Sequence, residues 1–181
     1  MLYINGAETW TPAPEPVAAT PLCFTAAGSN ASVQLVHGNN SPSVSLETST
    51  DGVTWTSYSN EVISLPNAGD KVYFRAADVN GAFCSSEMAR SEAPYANYFD
   101  CSNVVVSGKL VSIFRKDMDE SSMATPAYLA KNLFRNYNSR QTQIVDAGGL
   151  EIPDKTYGVM AFQGTFSSST LSAAPAFPGN A

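Results

Sequence analysis

The stretch Val44–Tyr58 constrains the fold more than any other part of this chain. It reads VSLETSTDGVTWTSY, and residues 44–49 alternate between apolar or β-branched and polar side chains, with the period of two that a half-buried strand requires. Asp51-Gly52 follows and is a strong turn signal, because glycine accepts a positive φ and aspartate can bond its own backbone. β-Favouring residues then resume. The stretch therefore predicts a β-hairpin, with Trp55 lying over the core.

Similar short runs occur on both sides of this hairpin, separated by clusters rich in Gly, Asn, Pro and Ser. Short strands at such spacing are typical of a β-sandwich. The sequence predicts a mainly β chain with a sandwich over residues 21–107. The predicted strands are Leu22–Thr25, Ser32–Val36, Val44–Ser49, Thr54–Tyr58, Val62–Leu65, Val72–Ala77, Tyr95–Cys101 and Val104–Ser107.

One hydrophobic core is expected from the inward-facing positions of these strands. In the run Val72–Ala77, alternation places Tyr73 and Arg75 outward. The expected core residues are Leu22, Phe24, Val33, Leu35, Leu46, Trp55, Ile63, Leu65, Val72, Phe74 and Ala76.

Residues 1–20 predict a tether and a Pro-rich linker rather than a part of the sandwich. Prolines at positions 12, 14, 16 and 21 favour an extended spacer with few internal hydrogen bonds. The apolar residues before the spacer have too little sequence around them to bury them locally, so they are the predicted partner-binding residues: Leu2, Tyr3, Ile4 and Trp10. The alternative is a frayed terminus.

Residues 108–181 predict a short helical and repeat-like module. Leu110, Ile113 and Phe114 fit a short helix, and Thr125-Pro126 forms a good N-terminal pair for a helix over residues 127–135. Residues 144–150 match residues 171–177 at an offset of 27, and Phe134 matches Phe162 at an offset of 28. Fewer than two full units are present, so this module must take cover from the sandwich, from a partner chain or from residues beyond Ala181.

The charges support a boundary near residue 108 and argue against polyanionic partners. Residues 1–108 hold ten acidic and three basic residues, whereas residues 109–181 hold six and seven. The net charge of −6 makes nucleic acid and anionic membranes poor partners. No run approaches the roughly 20 apolar residues of a membrane span, and the first residues lack the basic and long apolar regions of a signal peptide.

No catalytic, cofactor-binding or metal-binding residue is predicted, and the chain is expected not to be an enzyme. The only histidine is His37, and the only acidic cluster, Asp117, Asp119 and Glu120, lacks the glycine and the closing glutamate of a calcium loop. Three cysteines show no zinc spacing. Two alternatives remain for them: a bond between Cys84 and Cys101, or small buried thiols in a reducing compartment.

Two resemblances follow from motifs in the chain. Residues 49–55 resemble the Asp-box of sialidases, one residue short, in which the box is a folding element. A second set of motifs lies within residues 21–181: Ser49-Thr50-Asp51-Gly52, Thr54-Trp55-Thr56, Gly69-Asp70-Lys71-Val72-Tyr73-Phe74-Arg75, Val106-Ser107-Gly108-Lys109, Leu133-Phe134, Tyr157, Met160, Phe162 and Ala174-Pro175-Ala176-Phe177-Pro178. In their order and spacing these motifs resemble the BspA-type leucine-rich-repeat-like proteins, in which an immunoglobulin-like β-domain precedes the repeats.

The BspA-type resemblance implies an immunoglobulin-like sandwich followed by a partial leucine-rich-repeat-like α/β module. It also implies a role in the surface and adhesion proteins of gut bacteria or in the virions of their phages. The expected function is a bacteriophage virion structural or decoration protein, in the head or as a tail accessory, bound to other virion proteins or to itself. The alternative is a bacterial cell-surface adhesin. Either one implies a surface glycan or a host protein as a further partner.

Overall fold

The computed structural model describes residues 19–37, 44–79, 97–125, 129–135, 144–158, 161–162, 164–166 and 171–178. This part of the chain is mainly β and contains no α-helix. A 3-10 helix spans Leu110–Ile113. The strands are β1 (Leu22–Ala26), β2 (Ala31–Val36), β3 (Leu46–Ser49), β4 (Thr56–Ser57), β5 (Ile63–Leu65), β6 (Lys71–Ala76), β7 (Tyr98–Ser102), β8 (Val104–Lys109) and β9 (Ile144–Glu151).

The strands form two sheets, an arrangement consistent with a β-sandwich. One sheet has the order β4-β3-β6-β1-β8-β9 and the other the order β5-β2-β7. Neighbouring strands are antiparallel except β8 and β9, which are parallel. Phe24 of the larger sheet packs on Phe99 of the smaller one, with ring centroids 4.9 Å apart. Phe74 lies 5.1 Å from the same ring. Aromatic contact between the sheets therefore forms the centre of the core.

All eight predicted strands are present, with shifted ends, and the predicted hairpin is confirmed. β3 and β4 pair antiparallel, with Glu47 opposite Ser57 and Thr48 opposite Thr56. The loop between them spans residues 50–55, which is longer than the two-residue Asp-Gly turn that the sequence suggests. Gly52 has a φ of 75° within this loop, so the glycine at this position meets a real backbone requirement.

Most of the predicted core residues are buried, but the prediction that Trp55 lies over the core is wrong. Val72, Phe74 and Ala76 of β6 are at most 1 % exposed. Trp55 is only partly buried, because its loop carries the ring onto the outward-facing Arg75 instead of into the sandwich. Ile63 is also partly buried, at the margin of the core.

The helix predictions for the second half of the chain are partly wrong. Residues 110–113 are helical, but as one buried 3-10 turn. Residues 129–135 form successive turns instead of the predicted helix, and Asn132 has a φ of 60°. The backbone amides of this segment bond outside it: Ala130 N–H donates to Ala161 O at 2.7 Å and Phe134 N–H donates to Thr165 O at 3.0 Å. A helix would require those donors within its own turns.

Three layers of chain stack in succession, beginning with the layer that contains β8, and we call these layers rungs. The first rung is residues 99–109, the second is the described part of residues 129–151, and the third is the described part of residues 161–178. β8 and β9 connect the first two rungs as parallel strands. Ser172 N–H donates to Val145 O and Ala147 N–H donates to Ala173 O, both at 2.9 Å, which connects the third rung to the second. The expected correspondence of residues 144–150 with residues 171–177 is thus a spatial one.

A ladder of phenylalanine rings runs through the three rungs. Phe99 stacks on Phe134 at 5.9 Å and Phe134 stacks on Phe166 at 5.3 Å, each with an angle of 24° between the ring planes. The expected pairing of Phe134 with Phe162 is therefore wrong. The connection between ladder ring and strand is longer in the second rung than in the third, so the sequence offset at the ladder differs from the offset of 27 at the strands.

The core continues through residue 108 without interruption. One cluster of buried side chains includes Phe24 of β1 and Val106 of β8 together with Leu133, Phe134 and Ile144 from the later residues. The composition shift near residue 108 therefore does not coincide with a division of the core. Of the three sources of cover that the sequence left open for the later residues, the sandwich supplies a large part.

Candidate interaction surfaces

The predicted partner-binding residues Leu2, Tyr3, Ile4 and Trp10 lie outside the described residues. Their role therefore stays a prediction from the sequence. Cys84, one half of the disulfide that the sequence left open as one of two alternatives, also lies outside them. Its proposed partner Cys101 is a buried free thiol, and so is Cys23. Burial raises the pKa of both thiols, most strongly that of Cys101, so both stay protonated and weakly nucleophilic near neutral pH.

The β3–β4 loop is held by a set of short local hydrogen bonds around Asp51. The Asp51 carboxylate accepts hydrogen bonds from the backbone N–H groups of Thr54 at 2.7 Å and Val53 at 2.8 Å. Ser49 Oγ donates to the same carboxylate at 2.8 Å and accepts from Gly52 N–H at 2.8 Å. These bonds lower the pKa of Asp51, the backbone bonds from Thr54 and Val53 most. The loop is an ordered turn that leaves Val53 80 % exposed at its tip.

A compact group of charges lies beside this loop on the outer face of the larger sheet. The Arg75 guanidinium lies 4.0 Å from the centroid of the Trp55 ring, and its Nε donates to Glu47 at 2.7 Å. Lys116 Nζ donates to the other oxygen of Glu47 at 3.0 Å. Burial opposes ionisation of Glu47, but the hydrogen bonds from Lys116 and Arg75 outweigh it and lower its pKa. The group fixes the position of the indole ring, which can stack on a planar partner with its exposed area.

The acidic cluster at residues 117–120 is occupied by the chain's own donors. Arg115 binds both carboxylate oxygens of Asp117, at 2.9 and 2.6 Å. Asp119 accepts from the Ser121 hydroxyl at 2.6 Å, and this bond together with others from Ser121 and Ser122 lowers its pKa to about 2. Lys109 bonds Glu120 at 3.1 Å. Among the described residues, no group of His, Cys, Asp and Glu is arranged to hold a metal ion.

His37 is positioned by amide side chains. Its Nδ1 lies 3.2 Å from Asn97 Oδ1 and its Nε2 lies 3.0 Å from Asn60 Oδ1. Both ring nitrogens thus contact amide oxygens just after the end of β2, the central strand of the smaller sheet. A serine hydrolase would need the same two nitrogens for a serine and a carboxylate.

The third rung presents an apolar surface that the sequence reasoning missed. Ala173, Ala174 and Ala176 are exposed, and Phe177 is 52 % exposed although its ring packs at 5.4 Å on Phe162. We call these four exposed residues the third-rung patch. From Thr156 to Ala181 the sequence contains no Asp, Glu, Lys, Arg or His. This run without charged residues is the sequence feature that could have indicated the patch.

Comparison with known proteins adds no relative. No protein-family model, no curated protein and no solved structure matches this chain. In the described part of the chain, no helix has the length and apolar character needed to cross a membrane.

Proposed function

We propose that this chain is a non-enzymatic structural or decoration protein of a bacteriophage virion, in the head or as a tail accessory. In this proposal the two sheets are an immunoglobulin-like domain and the three rungs are a short leucine-rich-repeat-like module. The observation that carries the proposal is the third-rung patch. An exposed phenylalanine among exposed alanines, in a part of the chain without charges, suits a protein whose surface is covered in an assembly.

The cysteines support assembly in a reducing compartment. Cys23 and Cys101 are both buried free thiols, in a chain small enough for a disulfide to add useful stability. Disulfides form and persist in secreted proteins and are rare in the cytoplasm, where virions are assembled. Free thiols therefore favour a virion protein over an exported one.

Attachment is assigned to the N-terminal residues Leu2, Tyr3, Ile4 and Trp10. An extended apolar segment can add a strand to a partner's sheet edge, with backbone hydrogen bonds giving affinity and side chains giving register. Deleting residues 1–12 should leave the melting temperature of the remaining protein nearly unchanged and abolish incorporation into particles. Incorporation at the wild-type level after this deletion would move the attachment to another surface.

The alternative function is a bacterial cell-surface adhesin, and the β3–β4 loop favours it. This loop combines an ordered backbone with an exposed Val53 at its tip and the Trp55 ring beside it. Preorganised loops with an aromatic anchor are a common form of binding surface for proteins and glycans. A virion protein could use the same loop to bind a host surface glycan or protein.

Quantitative mass spectrometry decides between the two functions. The protein should be enriched in density-purified phage particles at a constant ratio to a known structural protein, and depleted from the envelope fraction of uninfected cells. Enrichment in the envelope fraction and absence from particles would establish the adhesin and contradict the virion proposal. A glycan-hydrolysis screen with the purified chain tests the non-enzymatic part of the proposal, which measurable turnover would refute.

A further inference from the structure

We infer that the partly exposed Trp55 ring, together with the polar side chains beside it on the larger sheet, binds a neutral glycan by stacking on a pyranose ring. This inference deepens the proposed function, on which it rests, by naming the ligand class of the β3–β4 loop. All of the residues that form this surface belong to the described ranges 44–79 and 97–125.

The first argument is that the indole ring is held in place before any ligand arrives. The Arg75 guanidinium lies 4.0 Å from the centroid of the Trp55 ring. Glu47 accepts from Arg75 at 2.7 Å and from Lys116 at 3.0 Å, which fixes the guanidinium. The Asp51 carboxylate accepts two backbone hydrogen bonds within the loop that carries the ring. A ligand therefore meets a preorganised ring, so stacking costs little side-chain entropy.

The second argument is a row of polar side chains that crosses the outer face of the larger sheet beside the ring. Ser57 of β4 is opposite Glu47 of β3, and Glu47 is opposite Arg75 of β6. Cross-strand partners project to the same face of a sheet, so exposed Ser57 lies on the face where Arg75 bonds Glu47. Sugar hydroxyls need donors and acceptors, and this row provides a hydroxyl, a carboxylate and a guanidinium.

The third argument selects a glycan over a partner protein. Stable protein interfaces usually bury about 1,200 Å² or more around a dry apolar centre. The apolar area here comes from one ring and from Val53, which is 80 % exposed at the loop tip. It is bordered by the exposed hydroxyl residues Thr54, Thr56 and Ser57. One ring with a polar border suits a pyranose, which has an apolar face of C–H groups and a rim of hydroxyls.

The fourth argument selects a neutral sugar over a charged ligand. The Arg75 guanidinium lies against the indole ring, so it would repel a cationic ligand that stacked on the same ring. Residues 1–108 hold ten acidic and three basic residues, so an anionic ligand would approach an acidic part of the chain. Arg75 and Lys116, the two cations of this surface, are already bonded to Glu47. A ligand without charge avoids both kinds of repulsion.

A single stacked ring with a few hydrogen bonds should bind weakly. We expect a dissociation constant on the order of 1 mM for one copy of the chain. A particle that carries many copies would gain avidity, since linked sites exceed the affinity of one site by roughly 10²–10⁴. Because the ligand forms no ion pair with the protein, its affinity should not change with the salt concentration.

Nuclear magnetic resonance titration of the ¹⁵N-labelled full chain tests this inference. The chain has two tryptophans, Trp10 and Trp55, and the indole N–H signal missing from Trp55→Phe identifies Trp55. The neutral probes are maltohexaose, cellotetraose, mannotetraose and tetra-N-acetylchitotetraose, each up to roughly 10 mM. Trigalacturonate is the anionic probe, and an unglycosylated tripeptide with a central tyrosine is the protein-like probe. At least one neutral probe should shift the Trp55 signal saturably, whereas the anionic and protein-like probes should not.

Three variants locate the contact, with backbone amide signals of β4 and β6 as the measure of affinity. Trp55→Ala removes the stacking ring and should weaken binding at least about tenfold. Ser57→Ala removes one neutral hydrogen bond and should weaken binding about threefold to tenfold. Phe177→Ala is the matched control, because it truncates the exposed aromatic ring of the third-rung patch and should leave the affinity unchanged. Melting temperatures well above the temperature of the titration show that each variant is folded.

Four results would overturn the inference. The first is the lack of a saturable shift with every neutral probe, and the second is binding of trigalacturonate at least as tight as that of the best neutral probe. The third is a shift of the Trp55 signal by the tripeptide alone, which would assign the ring to protein contact. The fourth is equal weakening by Phe177→Ala and Trp55→Ala.

The inference and the proposed virion role fail separately. The composition of phage particles tests the virion role, whereas the titration uses the purified chain. Glycan binding by a protein that is absent from particles would support this inference and contradict the virion role. Incorporation into particles without glycan binding would support the virion role and contradict this inference.

Discussion

The β3–β4 hairpin and the rung stack are built from opposite kinds of interaction. The hairpin joins two strands that are close in sequence, and its loop is fixed by polar atoms that Ser49 and Asp51 supply locally. The rung stack joins segments far apart in sequence through parallel backbone pairs and a ladder of rings. The turn of the hairpin is thus fixed by local contacts, although β3 also pairs with β6, whereas each rung needs the layer beneath it.

This difference implies a direction of dependence within the molecule. Phe99 belongs to β7 of the sandwich and is also the first ring of the ladder. Phe24 of β1 also lies against the ladder, 6.2 Å from Phe134. The sandwich therefore provides the surface on which the second rung is built, and the second rung provides the surface for the third.

The largest expected effect follows from separating the two regions. Residues 108–181 expressed alone should not fold cooperatively, because their buried side chains lose the cover of β1, β7 and β8. Circular dichroism during thermal unfolding should show no sigmoidal transition, and amide exchange should show no protected core. A monomeric, cooperatively unfolding fragment would show that the stack does not depend on the sandwich.

Truncating the first and the last ring of the ladder should cost different amounts of stability, with the larger loss at the ring inside the sandwich. Phe99→Ala removes a ring of the smaller sheet that is 0 % exposed and contacts two rings of the larger sheet, Phe24 and Phe74, so it should cost about 3–5 kcal/mol in the free energy of unfolding. Phe166→Ala removes a partly buried ring with one stacked partner and should cost about 1–2 kcal/mol. Urea denaturation monitored by circular dichroism measures both values.

Hydrogen exchange adds the location of each effect. Phe166→Ala should increase exchange in the third rung alone, while Phe99→Ala should increase it in both sheets and in all three rungs. Equal losses of stability for the two variants would mean that the rungs do not depend on the sandwich in one direction. The sandwich and the rungs would then unfold as one unit.

The sequence predicts local features of this fold well and its long-range pairings poorly. Asp51-Gly52 identified the hairpin because its turn chemistry acts within a few residues. The placement of β9 beside β8 had no such signal, since parallel strands meet only after a long connection and their pairing depends on the whole fold. The turn at Asn132 was missed because leucines at helical spacing also suit a buried turn.

The surfaces at Trp55 and at the third rung were also hard to predict, because both depend on contacts between distant parts of the sequence. Trp55 was assigned to the core because a large aromatic residue in a strand pattern is usually buried. Its true position depends on Arg75, which is a neighbour only after β3 and β6 have paired. The third-rung patch depends on which alanines and which phenylalanine the stack leaves exposed. Composition shows the missing charge there but not the exposure.

Trp55→Ala tests the corrected position of this ring and should have a modest effect. A partly exposed ring over a guanidinium contributes about 0.5–1 kcal/mol through the cation–π contact, far below the roughly 3–5 kcal/mol of a buried aromatic residue. Trp55→Phe keeps a ring over Arg75 and should lose less. Thermal unfolding measures both variants. Destabilisation of Trp55→Ala comparable to that of Phe99→Ala would return Trp55 to the core.

The smallest expected effect is the pH dependence of the hairpin loop. Hydrogen bonds from Thr54 and Val53 lower the pKa of Asp51 in the folded chain below its unfolded value of about 3.9. A carboxyl group with a depressed folded pKa adds stability above the unfolded pKa, and this stability disappears as the pH falls through the folded pKa. Asp51→Asn cannot ionise, so it should melt at a lower temperature than the wild type at pH 7. The difference between the two should shrink below about pH 4. Melting curves of both proteins between neutral and strongly acidic pH measure this convergence, and a difference that stays constant with pH would show that the ionised carboxylate does not stabilise the loop.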